Sequence, residues 1–474
     1  MDRRLRLVLA AVLVALAGSS GARAADAPVD PGPTPRAQCG KGSKPETGMQ
    51  GRVSGPDITG GRAAQGFSCN LAQLGHQGAT GGFRVHRYVD GAGHECAYYD
   101  GTRLFPTQYL QGGTSGVVVL DMADRANPVQ TALLLTPAML TPHESLNINV
   151  ERGLLVADMG NPFTYPGFVD VYDLTVDCRH PVLRSSLPVG FLGHEGAFAT
   201  DGKTFYVTSP AGVLSAVDLS NPSLPVPFFT SFRYRPHGVN ISADGNRLYM
   251  ADIANADASA GLTILDVSEI QRRAPNPQVR TVSHVSWSNV SIPQTAIPVT
   301  IAGRRYVVEI DEFERNAYNG YDAGHEVGAA RIVDIADDTR PRVVSNIRLE
   351  VNMAANRAAL AADPNATNAL GGYTGHYCAV PQRIEPGIVA CTFNNSGLRV
   401  FDIRDPRQPK ELAYFNPPIV GTGYTETAWA LSAPAFVPER SEIWYVDGNH
   451  GFFALKFTNG VWPFPATAAS AAPT

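Results

Sequence analysis

Four histidines occupy the same place in four repeat units of the chain, and this recurrence is the strongest indication of chemistry. They are His143, His194, His237 and His376, each at the start of a strand-like segment that leads into a hairpin. The 474 residues contain only 11 histidines. Neutral imidazole is a common ligand of transition metals, so three or four rings that meet on one axis could hold Zn, Cu or Fe.

Two of the four histidines are followed directly by a carboxylate, Glu144 and Glu195. These glutamates are expected as further metal ligands or as acceptors in an outer shell. The equivalent place holds Gln294 in the fifth unit, and Thr427 with Trp429 in the seventh. Two other interpretations stay open at this point. Each histidine could tie its own blade to the next by a hydrogen bond, or the cluster could serve an organic ligand.

Two loops are candidates for ligand contacts. The loop from Asp311 to Gly328 is long and contains His325, and loops of this length are often functional. The shorter loop over 160–167 presents Tyr165. Asp311, His325 and Tyr165 are therefore predicted ligand-binding residues. Aspartates also stand at the ends of other second strands, where turn chemistry is the ordinary explanation.

Repetition of one pattern along the chain indicates the elements that position these residues. A small residue, an apolar run, Asp, an apolar residue and a polar turn that ends in Pro recur every 45 to 68 residues. The marker residues are Asp121, Asp173, Asp218, Asp266, Asp334 and Asp402, with Lys456 in the seventh place. Hairpin segments with Arg-Gly, Asp-Gly or Pro-Gly turns precede most copies.

Each unit thus has four antiparallel strands, and seven units predict an all-β, seven-bladed propeller. In a propeller the first strand of each blade lines the central channel. The loops before first strands and those between second and third strands share one face. The four histidines are therefore predicted to meet at one channel mouth.

The apolar-run-Asp strands VVVLD, LTILD and LRVFD resemble the repeats of the LVIVD-repeat family, and the resemblance covers roughly residues 66–457. It implies a β-propeller that is commonly exported, and little about chemistry. Residues 66–465 are predicted to form the propeller, closed by an N-terminal strand over 69–76. Residues 26–65 read as a flexible Pro/Gly-rich lead-in, and residues 466–474 as a disordered tail.

The first 25 residues are predicted to be a signal peptide. Arg3, Arg4 and Arg6 precede an apolar stretch from Leu7 to Ala17, which is too short to span a bilayer. Ala22-Arg23-Ala24 fits a cleavage site, so the mature chain is expected to be secreted or periplasmic, without membrane insertion.

Six cysteines in an exported chain indicate disulfides. Cys378 and Cys391 flank one hairpin turn and are predicted to pair. Cys69 is expected to bond to Cys96, and the partners of Cys39 and Cys178 are left open.

Composition excludes several classes of function. The formal net charge is −5 and becomes more negative when the signal peptide is removed, which argues against nucleic acid as a partner. No G-x-S-x-G, Walker A or H-E-x-x-H motif occurs. The sequence predicts an exported LVIVD-like propeller that binds a protein or a small ligand on its histidine face. The alternative is a metal-dependent enzyme, an oxidoreductase, that uses the four histidines as metal ligands.

Overall fold

The computed structural model describes residues 32–102, 115–160, 165–253, 259–314, 327–367, 372–422 and 426–464. Its strands form seven antiparallel sheets, six with four strands and one with five. These sheets are the blades of a propeller, so the predicted seven-bladed fold is confirmed.

Two short strands precede the blades: β1 (Phe67–Cys69) and β2 (Leu71–Gln77). Blade 1 consists of β3 (Val85–Val89), β4 (Glu95–Asp100), β5 (Val117–Asp121) and β6 (Val129–Leu134). Blade 2 consists of β7 (Asn147–Asn149), β8 (Leu154–Asp158), β9 (Gly167–Asp173) and β10 (Val182–Gly190). Blade 3 consists of β11 (Glu195–Phe198), β12 (Thr204–Ser209), β13 (Val213–Asp218) and β14 (Val226–Ser231).

Blade 4 consists of β15 (Pro236–Ile241), β16 (Arg247–Asp252), β17 (Gly261–Asp266) and β18 (Arg280–Val285). Blade 5 consists of β19 (Ile292–Ile301), β20 (Arg304–Glu312), β21 (Ala330–Asp334) and β22 (Arg342–Ile347). Blade 6 contains β23 (Gly375–Ala379), β24 (Ile388–Phe393), β25 (Gly397–Asp402) and β26 (Lys410–Asn416). Blade 7 contains β27 (Ala435–Val437), β28 (Glu442–Asp447) and β29 (Gly451–Phe457).

Among the described residues, four short α-helices lie outside the strands: α1 (Gly55–Thr59), α2 (Pro137–Leu140), α3 (Ser268–Gln271) and α4 (Ala354–Arg357). Single 3₁₀ turns occur at Ala63–Gln65, Glu350–Asn352, Ala358–Leu360 and Pro438–Arg440. Within the described part of the chain, no helix has both the length and the apolar character needed to cross a membrane.

The N-terminal strands close the ring. β2 pairs with β29 and supplies the outer strand of blade 7, as the sequence predicts. β1 pairs with β26 and adds a fifth strand to blade 6. Asn70 joins the two strands with a φ of 56°, a left-handed conformation that Asn tolerates better than most residues. Two neighbouring blades are thus completed by one short stretch of chain.

The hydrophobic core consists of layers between neighbouring blades. Third strands such as β13 and β17 are buried on both faces because each sheet is covered by a blade on either side. Between blades 7 and 1, for example, the ring of Phe452 lies 5.9 Å from that of Tyr99 and 5.9 Å from that of Trp444. The apolar packing that stabilises the fold therefore lies between neighbouring blades all around the ring and not at the central axis.

The marker aspartates act in turns, as the sequence predicts. All six accept a hydrogen bond from the backbone N–H two residues later, at distances of 2.8 to 3.1 Å. They are Asp121, Asp173, Asp218, Asp266, Asp334 and Asp402. The recurrent Asp therefore belongs to the fold and not to the site.

Residues 32–66, here called the N-terminal arm, lie along blade 6. The side chain of Arg399 is fully buried and forms ion pairs with Glu46 of the arm and with Glu411 of β26. Arg36 of the arm pairs with Glu350. Much of the segment that the sequence describes as a flexible lead-in is therefore in contact with the propeller.

Three disulfides are formed, Cys39–Cys69, Cys96–Cys178 and Cys378–Cys391. The predicted Cys378–Cys391 bond is confirmed, and the two residues lie directly opposite each other on β23 and β24. The expected Cys69–Cys96 bond is wrong. Cys69 belongs to β1 in blade 6, whereas Cys96 lies on β4 and reaches Cys178 of blade 2. The three bonds are consistent with a secreted or periplasmic protein.

The two blade disulfides are expected to differ in their contribution to stability. They close 82 and 13 residues, and loop entropy predicts about 4.5 and about 3 kcal/mol respectively. C96A/C178A should therefore lower the urea midpoint more than C378A/C391A, measured side by side on oxidised protein. All four cysteines are buried, so the destabilisation caused by the cavities that Ala leaves should be similar in the two double variants. An equal or reversed order would contradict the entropic account.

Candidate metal centre on the propeller axis

The four histidines converge at the mouth of the central channel. His194 immediately precedes β11, His237 and His376 are the second residues of β15 and β23, and His143 lies in the segment that enters β7. The ring centroid of His194 lies 4.6 Å from that of His143 and 4.9 Å from that of His237. His376 joins them through a shared carboxylate described below. The repeat position has thus brought residues from four blades into one place.

Three of the rings are fixed by the same hydrogen bond. Nδ1 of His194 lies 2.9 Å from the carbonyl oxygen of Gly160. Nδ1 of His237 lies 2.9 Å from that of Pro293, and Nδ1 of His376 lies 2.9 Å from that of Leu431. A carbonyl only accepts, so each Nδ1 carries the proton and each neutral ring presents a bare Nε2. The bonds to Pro293 and Leu431 also reach the next blade, so Nδ1 of these two histidines ties neighbouring blades together.

Two carboxylates lie among the Nε2 atoms. Glu144 Oε2 is 3.2 Å from Nε2 of His194 and 3.4 Å from Nε2 of His237. Glu312 Oε2 is 2.9 Å from Nε2 of His376, and Glu312 Oε1 is 3.6 Å from Nε2 of His237. Glu312 ends β20 and comes from blade 5, which has no histidine at the repeat position. The five side chains form a compact set of nitrogen and oxygen donors.

The electrostatics of the cluster favour a cation at its centre. Nε2 of His194 and Nε2 of His237 are only 3.0 Å apart, so two neutral rings would direct lone pairs at each other. Burial lowers the pKa of His237, but Glu312 and Glu144 outweigh it and raise the pKa to about 9. Burial opposes ionisation of Glu144, yet His194 and His237 hold its pKa well below the usual value. A proton or a metal ion must lie between these groups.

His143 differs from the other three. Its φ is 51°, its Nδ1 is buried without a hydrogen bond, and its ring packs 4.1 Å from that of Phe83. Burial and the neighbouring His194 lower its pKa well below the ordinary value, so the ring is neutral. Gly160 lies so close that any side chain there would collide with the Cβ of His143. His143 closes the cluster on the side of blade 1.

Glu195, expected as a ligand or outer-shell acceptor, is engaged one layer below the donors. Its Oε1 is 2.7 Å from Nη2 of Arg84, and its Oε2 accepts a 2.7 Å hydrogen bond from the hydroxyl of Tyr377. In the same layer Gln294 donates a 2.6 Å hydrogen bond to Glu144 Oε1. Gly238 leaves the space that the Glu195 carboxylate fills. This layer positions Glu144 from beneath and fills the axis with polar side chains.

The predicted ligand contacts have different outcomes. Asp311 is fully buried, and its Oδ2 accepts from Arg331 at 2.9 Å, Trp287 at 3.1 Å and the N–H of Ser291 at 3.0 Å. These contacts assign Asp311 to the packing of blade 5, whereas its neighbour Glu312 reaches the cluster. His325 lies outside the described residues.

Tyr165 lies at the surface of the histidine face, with 69% of its side chain exposed. Its ring contacts Phe191 at 5.3 Å, and Phe191 contacts Phe232 at 5.2 Å. The three rings come from the β8–β9, β10–β11 and β14–β15 loops. They form an exposed aromatic rim next to the segment that carries His194.

Comparison with known proteins shows the fold alone. No protein-family model and no curated protein sequence matches the chain. Its structure is similar to the Cps50 (Swd1) β-propeller domain of Myceliophteria thermophila, with 11% identity, a TM-score of 0.51, and coverage of 81% of this chain and 98% of that one. It is also similar to a periplasmic gluconolactonase of Pseudomonas aeruginosa, with 14% identity, a TM-score of 0.49, and coverage of 71% and 87%.

Proposed function

We propose that this chain is an exported β-propeller of the LVIVD-like kind that holds one divalent transition metal at its channel mouth. His194, His237 and His376 supply Nε2 ligands, Glu144 and Glu312 supply carboxylate oxygens, and His143 completes the set. The observation that carries the proposal is the orientation of the rings. Three Nδ1 atoms are occupied by backbone carbonyls, so the three free Nε2 atoms point at the two carboxylates.

The donor spacing fits a metal ion. Ligands at about 2.1 Å from a metal are about 3.0 Å apart in an octahedral site and about 3.4 Å apart in a tetrahedral one. The separations of 3.0, 3.2 and 3.4 Å among His194, His237 and Glu144 fall in this interval. A single ion can therefore contact all three without a large movement of the backbone.

The charge of the site fits a divalent cation. Within the described residues, neither Glu144 nor Glu312 has a Lys or Arg at ion-pair distance, whereas Glu195 is neutralised by Arg84. With neutral imidazoles the donor set carries two negative charges. Buried charges are retained when they are paired or coordinate a metal, and an ion of charge +2 balances this set. Imidazole with carboxylate suits Zn²⁺, Fe²⁺ or Cu²⁺.

The histidine face is also the proposed surface for a ligand or protein partner. His143 and His194 are buried but keep 8% and 6% of their surface exposed, and both lie in segments that belong to this face. The aromatic rim of Tyr165, Phe191 and Phe232 provides exposed apolar area beside it. Aromatic side chains are enriched at protein–protein interfaces.

Protein purified without a histidine tag is expected to contain about one equivalent of Zn, Fe or Cu per chain, measured by plasma mass spectrometry. A matched control is H284A, because His284 lies on the outer strand β18 and should leave the metal content unchanged. X-ray absorption at the metal edge should show nitrogen or oxygen neighbours at about 2.0–2.2 Å. Chelator-treated protein that neither takes up nor is thermally stabilised by any of the three metals would refute the proposal.

A further inference from the structure

A second concave site lies at the opposite end of the same inner strands. β11, β15 and β19 begin beside the histidine cluster and end at Phe198, Ile241 and Ile301. At that end a cavity of about 680 Å³ opens between blades 3, 4, 5 and 6. This volume is in the range of ligand pockets, about 300–1,000 Å³.

The cavity combines an apolar wall with charged side chains, namely three guanidinium groups and the carboxylates of Asp244 and Asp338. Its apolar lining includes Ile241, Pro298, Val299 and Ile335. Arg305, Arg383 and Arg247 reach the same cavity from blades 5, 6 and 4. A lining of apolar residues with a few convergent polar groups is typical of sites for small organic ligands.

Two of these arginines have no carboxylate partner at ion-pair distance within the described residues. Arg247 is paired with Asp338 at 2.8 Å and with Asp266 at 3.5 Å. By contrast, Arg305 donates to the carbonyl oxygen of Ala336, and Arg383 donates to the side-chain oxygen of Asn240 at 2.7 Å. Both contacts leave the positive charge uncompensated.

Backbone hydrogen bonds to a neighbouring blade fix the position of Arg383 at the opening of this cavity. The N–H of Thr300 donates to the carbonyl of Arg383 at 2.8 Å, and the N–H of Glu385 donates to the carbonyl of Thr300 at 2.8 Å. These bonds fasten the β23–β24 hairpin of blade 6 to β19 of blade 5. The guanidinium then crosses to Asn240 of blade 4, so it spans the opening in a preorganised position.

We propose that this cavity binds a small organic anion, with its carboxylate or phosphate group on Arg383 and Arg305 and its apolar body on Ile241, Pro298 and Val299. Arginine suits this role because its planar fork matches carboxylate and phosphate oxygens. The site is separated from the histidine cluster by the polar layer around Glu195. It therefore operates independently of the metal.

The test uses the mature chain and isothermal titration with octanoate, phenyl phosphate, acetate and octylamine. Octanoate or phenyl phosphate should bind, acetate should bind at least tenfold more weakly, and octylamine should not bind. R383Q and R305Q should each weaken the bound anion about 10- to 100-fold, the loss expected for a charge-assisted hydrogen bond. R272Q, on an exposed arginine that directly follows α3 and lies outside the cavity lining, should leave binding unchanged.

The double variant H194A/H237A separates this site from the metal centre. Octanoate binding that persists in it supports the cavity, and binding that disappears with the metal assigns the anion to the histidine face instead. Equal affinity for octanoate and octylamine, or full affinity in both R383Q and R305Q, would overturn the proposal. Absence of binding by every anion at millimolar concentration would overturn it too.

Discussion

H194A/H237A is expected to lose its metal while the propeller stays folded. Structural zinc sites with four ligands gain about 10–16 kcal/mol from the metal, or about 3 kcal/mol for each ligand. Loss of two ligands should therefore weaken metal affinity by at least about 1,000-fold. The fold should persist because the core lies in layers between blades and not at the axis.

The measurement is a competition titration with a chromophoric chelator, combined with thermal unfolding of metal-free protein. The metal-free variant should unfold within a few degrees of the metal-free wild type, and only the wild type should gain stability from added metal. H284A is the matched control at a histidine outside the cluster. If the rings serve only to tie blades, the variant would instead lose stability without any difference in metal uptake.

R399M is expected to destabilise the protein by about 3–5 kcal/mol, because it leaves the carboxylates of Glu46 and Glu411 buried without their cation. The control R404M removes an arginine two residues beyond the end of the same strand, β25, where 64% of the side chain is exposed. An exposed pair of this kind contributes about 0–1 kcal/mol. The comparison is made by urea unfolding, with limited proteolysis of the N-terminal arm as a second readout.

The defect of R399M should depend on pH. Burial already raises the pKa of Glu46, with Arg399 opposing the shift, so loss of the arginine raises the pKa further. A carboxyl whose pKa is higher in the folded than in the unfolded state binds a proton on folding, and stability then falls as pH rises. The deficit should be largest near pH 7 and smaller near pH 5. A deficit that is equal at both values, or an arm that resists proteolysis as in the wild type, would contradict this assignment.

The repeat pattern in the sequence was sufficient to predict the fold and some of the residues of the candidate site. The apolar-run-Asp strands predict seven blades because both faces of each sheet are buried, and the marker Asp serves each following turn. The histidines were found because they recur at one repeat position. A repeat position fixes both the distance from the axis and the height along it, so equal positions in different blades must meet.

The residues that break the repeat could not be found in this way. Glu312 reaches the cluster from the second strand of blade 5, and its only signal is that it follows Asp311 where the blade lacks a histidine. The Cys39–Cys69 bond joins the arm to β1, and nothing in the local sequence pattern shows that these two residues meet. Glu195 shares the His-Glu motif of Glu144, yet its carboxylate is paired with Arg84, which precedes the first strand of blade 1, two blades earlier in the chain.

Closure of the ring has a consequence for the order of events during synthesis. β1 and β2 leave the ribosome early, but their partners β26 and β29 follow more than 300 residues later. Until then the first blades have no closed ring to join, and the edge of each new blade stays open to other chains. The Cys39–Cys69 bond, by contrast, links residues that are only 30 positions apart, so in an oxidising compartment it can form without either of these late strands. This bond would hold β1 close to the N-terminal arm while the later blades are made. Pairing of β2 with β29 of blade 7 would then be the step that closes the ring.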